Sequence, residues 1–122
     1  MSESKQWLAY ALDDLAYGEL GMNSLPRAAS WSFQQAAEKA LKALLLAKVL
    51  EVPRTHDVAY LLNQLQATLS LPVEIADAVL LIAEITPATR YPADDVPPIE
   101  KKEAREYYQA AKHIVDRATL NL

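Results

Sequence analysis

The sequence predicts an all-α fold, an up-and-down bundle of four to five antiparallel helices that spans residues 1–122 as one domain. Apolar residues recur with a helical period along nearly the whole chain. Only two glycines occur among 122 residues, and Ala and Leu are abundant, which favours helices over turn-rich β architecture. A chain of this length buries roughly two-thirds of its unfolded surface, so it folds without covalent staples.

The first two helices are predicted from spacing and from breaks. Leu8 begins an i, i+3, i+4, i+7 pattern that runs to Leu15. The first break is predicted by Gly18, Gly21, Asn23 and Pro26. The second helix is expected from Pro26, a residue suited to a first helical turn, to about Leu50.

The third and fourth helices follow from a cap and an apolar run. Thr55 is a good N-cap for a third helix that extends to about Leu69. The fourth segment, from Pro72 to about Glu84, contains AVLLIA and is apolar on every side. We therefore expect this helix to be buried on more than one face, either centrally in the bundle or at the interface of a homodimer.

The last helix is expected from about Ile99 to Leu120, after a connection rich in proline. Residues Thr86 to Pro98 hold four of the seven prolines. The connection is longer than the roughly 2–8 residues usual between helices of a bundle. Its prolines make it stiff, so it is either a functional site or a spacer across the bundle.

Composition excludes several classes of function. The chain has no cysteine, hence no disulfide framework and no cysteine nucleophile, which suits a cytoplasmic location. No run of about 18 apolar residues occurs, so no membrane span is predicted. The N-terminal residues do not resemble a signal peptide. A net charge of −4 argues against strong non-specific binding of nucleic acid.

A polar stripe on the second helix is a candidate ligand-binding surface. Its members, spaced so that they share one helix face, are Gln35, Glu38, Lys39 and Lys42. Such a set of amide, carboxylate and ammonium groups suits a phosphate or a polar base. The alternative is a solvated face with one Glu38–Lys42 pair.

Three further residues carry possible binding chemistry. His56, at the start of the third helix, suits either a general base or a structural hydrogen bond. Arg90 and Tyr91 lie in the stiff connection, where an Arg clamps phosphate and a Tyr stacks on a base or donates a hydrogen bond. The alternative is that Arg90 pairs with a carboxylate and Tyr91 closes the end of the bundle. No spacing of ligands predicts a metal site, no cofactor is implied, and no residue is assigned as catalytic.

Four segments together resemble the HEPN family, the higher-eukaryote and prokaryote nucleotide-binding domain. They are WLAYALDDL (Trp7 to Leu15), SFQQAAEKALKALL (Ser32 to Leu45), THDVAYLL (Thr55 to Leu62) and TRYP (Thr89 to Pro92), followed by a final amphipathic helix with YYQAAKHIV. The resemblance implies a helical bundle that is commonly a dimer. It also implies prokaryotic relatives paired with a minimal nucleotidyltransferase, often as toxin–antitoxin modules.

The resemblance also implies a catalytic pattern from which this chain departs. Active family toxins resemble metal-independent ribonucleases, with an Arg followed about four to six residues later by a His near the start of the last helix. Arg90 matches the Arg, but residues 91–98 contain no His. The aspartates in that window are poor bases at neutral pH, since their unperturbed pKa is about 3.9.

The sequence therefore favours a catalytically inactive module that binds a nucleotide, RNA or related polyanion. The expected site is Arg90 and Tyr91 with the stripe on the second helix, and the expected partner is a minimal nucleotidyltransferase. One alternative is a ribonuclease toxin in which His56 replaces the missing base. The other is a purely structural bundle that forms a dimer.

Overall fold

Five α-helices and one short 3₁₀ helix make up the fold in the computed structural model, which describes residues 2–48, 51–92 and 96–122, without the side chain of Arg90. The helices are α1 (Glu3–Gly21), α2 (Pro26–Ala47), α3 (Val58–Gln66), α4 (Val73–Ile82) and α5 (Lys101–Leu120), and the 3₁₀ helix is Pro87–Arg90. No strand occurs in the described part of the chain. The predicted all-α class is confirmed.

The central helix of the bundle is α2, which packs against every other helix and against the 3₁₀ helix. Alanines at 36, 37, 40 and 43 are all fully buried on it. Because these side chains are small, neighbouring helices approach α2 closely from several sides. Fully buried leucines at 41 and 44 then fill the space between the helices.

The first predicted break lies between Gly21 and Pro26, but it does not include Gly18, because α1 continues through Gly18 and ends at Gly21. Gly18 is a buried position where α1 crosses α2. A Cβ atom there would lie 2.5 Å from Cε1 of Phe33 and 3.1 Å from the carbonyl oxygen of Ala29. The glycine therefore serves the close approach of two helices rather than a turn.

The predicted N-cap of the third helix, Thr55, is wrong. Asp57 is the N-cap of α3, and its carboxylate accepts hydrogen bonds from the backbone N–H groups of Ala59 and Tyr60 at 3.0 and 3.2 Å. The Thr55 hydroxyl instead accepts from the Asp57 N–H at 3.0 Å. The two side chains together satisfy three backbone donors that the helix leaves without an internal partner.

Within the single chain the fourth helix is buried on one face, so the expected central position in the bundle is wrong, whereas the alternative of a homodimer interface stays a prediction. Ile75, Val79 and Ile82 face the core, whereas Val73 and Leu80 are 66% and 56% exposed. Helix α4 packs mainly on α5 and α3. The central position goes to α2, and Val73 and Leu80 on the outer side of α4 remain largely exposed.

The last helix is anchored by a capping box and by two tyrosines. Glu100 and Glu103 form the capping box, which begins α5 at Lys101 rather than at Ile99. The Tyr107 hydroxyl donates to Glu84 at 3.3 Å, and the Tyr108 hydroxyl donates to Glu19 at 2.6 Å. These bonds tie the start of α5 to the end of α4 and to the end of α1.

Candidate functional site

The 3₁₀ helix Pro87–Arg90 packs on α2 and separates two clefts. The Thr89 side chain stabilises its turn, because the hydroxyl and the backbone N–H both donate to the Thr86 carbonyl, at 2.7 and 2.9 Å. Pro87 lines one cleft, whereas Thr89 and Tyr91 line the other. The segment predicted as a stiff site therefore borders both clefts.

The first cleft, of about 280 Å³, lies beside the first turns of α2, and we call it the Trp31 cleft. It is lined by Arg27, Ala28, Trp31, Thr89 and Tyr91. Tyr91 is 68% exposed, and Trp31 is half-buried. None of the described lining residues is acidic. The cleft thus combines two aromatic rings with a guanidinium group.

The backbone at this end of α2 adds to the positive character of the Trp31 cleft. Pro26 occupies the first turn of α2, and Leu25 at the N-cap position makes no side-chain hydrogen bond to the helix. The first N–H groups of a helix have no partner within it, and the helix dipole favours negative charge nearby. A phosphate group suits this position electrostatically.

The second cleft, of about 380 Å³, lies on the other side of the 3₁₀ helix, and we call it the His56 cleft. Gln34 from α2, residues 56–58 at the start of α3, and residues 83 and 85–87 after α4 line it. Its character is mixed, since polar groups of Gln34, His56 and Thr86 face apolar groups of Val58 and Ile85.

A buried polar network underlies the His56 cleft. Glu38 is only 3% exposed and Lys42 only 6%, and the Lys42 Nζ lies 3.1 Å from Glu38 Oε2. His56 Nδ1 lies 3.0 Å from Glu38 Oε1, although the His56 side chain is 81% exposed. The Gln34 amide donates to the His56 carbonyl at 3.1 Å. Glu38 therefore fixes the orientation of the imidazole from below, with Nδ1 turned towards the protein.

The other members of the predicted stripe also have partners within the protein. The Lys39 Nζ lies 2.6 Å from Asp14 Oδ2 and 5.9 Å from the centre of the Tyr10 ring. The Gln35 amide donates to the Gln34 side chain at 2.7 Å. The Lys42 Nζ lies 5.4 Å from the centre of the Trp7 ring.

The stripe is thus neither a solvated face nor an open row of cations. Helix α1 covers it, with Asp14 and two aromatic rings placed over the two lysines. The sequence analysis missed this cover because the spacing along one helix does not reveal which neighbour packs on it. The heptad spacing from Trp7 to Asp14 on α1 was the available signal.

The predicted site residues consequently divide into two groups. Gln35, Glu38, Lys39, Lys42 and His56 belong to the internal network and its edge. Arg90 ends the 3₁₀ helix and Tyr91 follows it, beside the Trp31 cleft. The side chain of Arg90 and the window at residues 93–95 lie outside the described part of the chain.

Two residues of the Trp31 cleft, Arg27 and Trp31, were not singled out from the sequence. Their i, i+4 spacing at the start of α2 was a weak signal that the two side chains share a face. Their proximity to Tyr91 could not be predicted from the sequence, because more than fifty residues separate the two segments and only the fold brings them together.

The described residues form neither a metal site nor a membrane-spanning helix. Within residues 2–48, 51–92 and 96–122, no three or more His, Cys, Asp or Glu side chains cluster in a way that suits a metal ion. No described helix is both long and apolar enough to cross a membrane.

Comparison with known proteins defines the class of this bundle. The sequence matches the HEPN domain family over residues 4–121. This chain therefore belongs to the HEPN domain family, as the segments on α1, α2, α3 and the 3₁₀ helix predicted.

Two solved structures share the fold. The crystal structure of TT1696 from Thermus thermophilus is 26% identical and covers 100% of both chains, with a TM-score of 0.84. The crystal structure of ST0689, an archaeal HEPN homologue, is 22% identical, covers 98% of this chain and 97% of its own, and has a TM-score of 0.79. No curated protein matches this chain significantly.

Proposed function

We propose that this HEPN domain binds a nucleotide or a related polyanion, and that Arg90 and Tyr91 bind it together with the Trp31 cleft. The observation that supports the proposal is the pairing of two aromatic side chains, Trp31 and Tyr91, with Arg27 in one cleft. Aromatic rings stack on bases of any sequence, and guanidinium groups bind phosphate through bidentate hydrogen bonds.

The contacts of its two lysines argue against the stripe on α2 as the surface that contacts the ligand. Lys39 and Lys42 each face a carboxylate at 2.6 and 3.1 Å, so their charges are already compensated. We therefore assign Gln35, Lys39, Lys42 and Glu38 to holding the bundle and supporting the site rather than to contacting the ligand.

We propose further that the module is not an enzyme and that it acts beside a minimal nucleotidyltransferase in the cytoplasm, as in a toxin–antitoxin pair. The support is the resemblance to HEPN members of that kind, together with the absence of His from residues 91–98. Copurification of the chain with the product of the adjacent reading frame tests the partner.

Calorimetric titration with ATP, AMP and a short RNA tests the binding site. Arg90→Ala and Trp31→Leu should each weaken binding by at least about tenfold, which corresponds to one charge-assisted hydrogen bond or one stacked base. Lys112→Ala removes a cation from an exposed pair on α5 and serves as the matched control. Equal affinities for all four proteins would refute the site.

One observation favours a second candidate function, a ribonuclease in which His56 is the base. Glu38 holds Nδ1 of His56, which directs Nε2 away from the protein at the edge of a cleft that the 3₁₀ helix also borders. A carboxylate that orients a histidine in this manner is typical of proton-transfer sites. RNA cleavage by the wild type, lost in His56→Ala with nucleotide binding unchanged, would establish this function in place of the inactive module.

A further inference from the structure

The outer face of α1 carries a row of residues that the proposed nucleotide site does not involve. All of them are exposed, and they lie roughly opposite the side of α1 that buries Ala11 and Gly18 against the bundle. The members of this row, which we call the α1 seam, are Glu3, Gln6, Tyr10, Asp13, Tyr17 and Leu20.

The spacing of the α1 seam is that of a contact with another helix. Alternating steps of three and four residues keep one row of side chains turned towards a neighbouring helix, and the seam keeps this spacing for more than two heptads. Tyr10, Tyr17 and Leu20 on the seam are 64%, 73% and 87% exposed. The seam therefore offers a row of apolar side chains that a partner helix would cover.

The charge of the α1 seam is negative. Glu3 and Asp13 are its only charged residues, and neither forms an ion pair with another described residue. The two lysines of α2 that contact aromatic rings of α1 each have a carboxylate of their own. The charges of Glu3 and Asp13 are therefore left for a group from outside the chain.

A small pocket at the N-terminal end of the α1 seam combines a carboxylate with aromatic rings. It encloses about 190 Å³ and is lined by Glu3, Gln6, Trp7 and Tyr10. An arginine side chain suits such a pocket, because its planar guanidinium group stacks on aromatic rings and donates two hydrogen bonds to a carboxylate. Asp13 and Tyr17, at i, i+4 on the same helix, repeat the combination further along the seam.

We propose that a helix of a partner protein docks along the α1 seam. Its arginine side chains meet Glu3 and Asp13, and its apolar side chains cover Tyr17 and Leu20. Charge complementarity selects this occupant over a second copy of the chain, since two seams that carry only carboxylates repel each other. The contact lies apart from the Trp31 cleft, so it does not depend on the proposed nucleotide site.

Fluorescence anisotropy with a labelled helical peptide of about 21 residues, or three heptads, tests the proposal. The arginine peptide carries alternating leucine and arginine at its heptad contact positions and Ala or Gln elsewhere. The glutamate peptide has Glu in place of each Arg. At about 0.15 M salt, the wild type should bind the arginine peptide at least about tenfold more tightly than the glutamate peptide. Tyr17→Ala should weaken binding of the arginine peptide at least about threefold, since it removes a ring on which a guanidinium group stacks.

A charge reversal separates the α1 seam from attraction by the net charge of the protein. Asp13→Arg should weaken binding of the arginine peptide at least about tenfold and should increase the affinity for the glutamate peptide. Asp77→Arg, at an exposed carboxylate on α4, changes the net charge by the same amount and is the matched control. It should leave both affinities within about twofold, because salt screens distant charges. Equal effects of the two reversals, an unchanged affinity in Tyr17→Ala, or no preference for the arginine peptide would each overturn the proposal.

The emission of Trp7 locates the bound peptide. Trp31→Phe retains Trp7, which lines the pocket of the seam, as its only tryptophan. The arginine peptide, which contains no tryptophan, should change the emission of this variant as it binds. The emission of Trp7→Phe, which retains Trp31, should stay constant. A change confined to Trp31, or a constant Trp7 emission at saturation, would place the peptide elsewhere and overturn the proposal.

Discussion

Gly18 and Phe33 fix the distance between α1 and α2, since a Cβ atom on Gly18 would lie 2.5 Å from Cε1 of Phe33. The Phe33 ring is fully buried, and its centre lies 5.5 Å from that of Tyr108 on α5. It therefore lacks room to move aside without disturbing a third helix. Gly18, which the sequence analysis assigned to a break, thus forms with Phe33 a contact on which α1, α2 and α5 converge.

Gly18→Ala should destabilise the fold by roughly 1–2 kcal/mol. Overpacking in a close-packed core costs about 1–3 kcal/mol, and the better helix propensity of Ala offsets up to ~1 kcal/mol of this. Gly21→Ala is the matched control, because nothing lies within 4 Å of its Cβ position. Urea denaturation should show Gly21→Ala as stable as the wild type or slightly more so. A stabilised Gly18→Ala variant would show that α1 and α2 do not touch there.

The close contact between α1 and α2 at Gly18 illustrates what the sequence can and cannot predict. Helical periodicity reveals helices because burial of one face has a period of 3.6 residues, and the five helices follow from it. It does not reveal which helix is central. The apolar run in α4 suggested that position, whereas the alanine-rich α2 occupies it because small side chains admit neighbours on several sides.

The candidate site shows the same division. The segment that contains Arg90 and Tyr91 was predicted from its prolines and from family resemblance, both local signals. The cover of Lys39 and Lys42 by Asp14 and Trp7 depends on how two helices pack, which the spacing along either helix alone does not determine.

Glu38→Leu should destabilise the protein by about 3–5 kcal/mol, because it leaves the ammonium group of Lys42 buried without its counter-ion. The double variant Glu38→Leu/Lys42→Met should recover a large part of that loss, since no buried charge then remains. Thermal and urea denaturation of the single and double variants measure the coupling free energy.

The exposed pair Lys112–Asp116 is the matched control for this prediction. It has the same i, i+4 spacing and a similar separation of 3.0 Å, but both side chains are largely exposed. Asp116→Leu should therefore cost less than about 0.5 kcal/mol. Equal losses at the two pairs would show that the Glu38–Lys42 pair is solvated in solution.

Asp57→Ala should cost about 1 kcal/mol, the usual effect of removing a side-chain N-cap. The Asp57 carboxylate bonds two N–H groups of the α3 helix, whereas the Thr55 hydroxyl bonds only the N–H of Asp57. Thr55→Ala should accordingly have the smaller effect on the free energy of unfolding. A larger loss of stability in Thr55→Ala than in Asp57→Ala would show that Thr55 is the N-cap.

Alkaline unfolding should reveal the two tyrosine–carboxylate bonds. Burial and then the nearby Glu84 raise the pKa of Tyr107 to about 12, and the hydrogen bond to Glu19 is the main cause that raises the pKa of Tyr108 to about 12. The unfolded chain loses these protons near the ordinary pKa of 10.0. Between pH 10 and 12 the folded state thus holds more protons, so stability falls as the pH rises.

Phenolate absorbance during a pH titration checks this expectation. Tyr107→Phe and Tyr108→Phe should each remove one late-titrating group and make stability less dependent on pH in that range. Tyr17→Phe, at a residue 73% exposed on α1, is the control and should leave both late-titrating groups in place. Ordinary titration of Tyr107 and Tyr108 in the folded protein would contradict the two bonds.

Tryptophan fluorescence should locate the proposed nucleotide site, because the chain has only two tryptophans and they lie in different places. Trp31 lines the cleft beside Tyr91, whereas Trp7 lies over Lys42 in the C-terminal half of α2. A base stacked on an indole ring quenches its emission. ATP should therefore quench Trp7→Phe, which retains Trp31, and should leave the emission of Trp31→Phe unchanged. Quenching confined to Trp31→Phe would instead move the ligand to Trp7 and the covered stripe, and equal quenching in both variants would exclude a defined site at either ring.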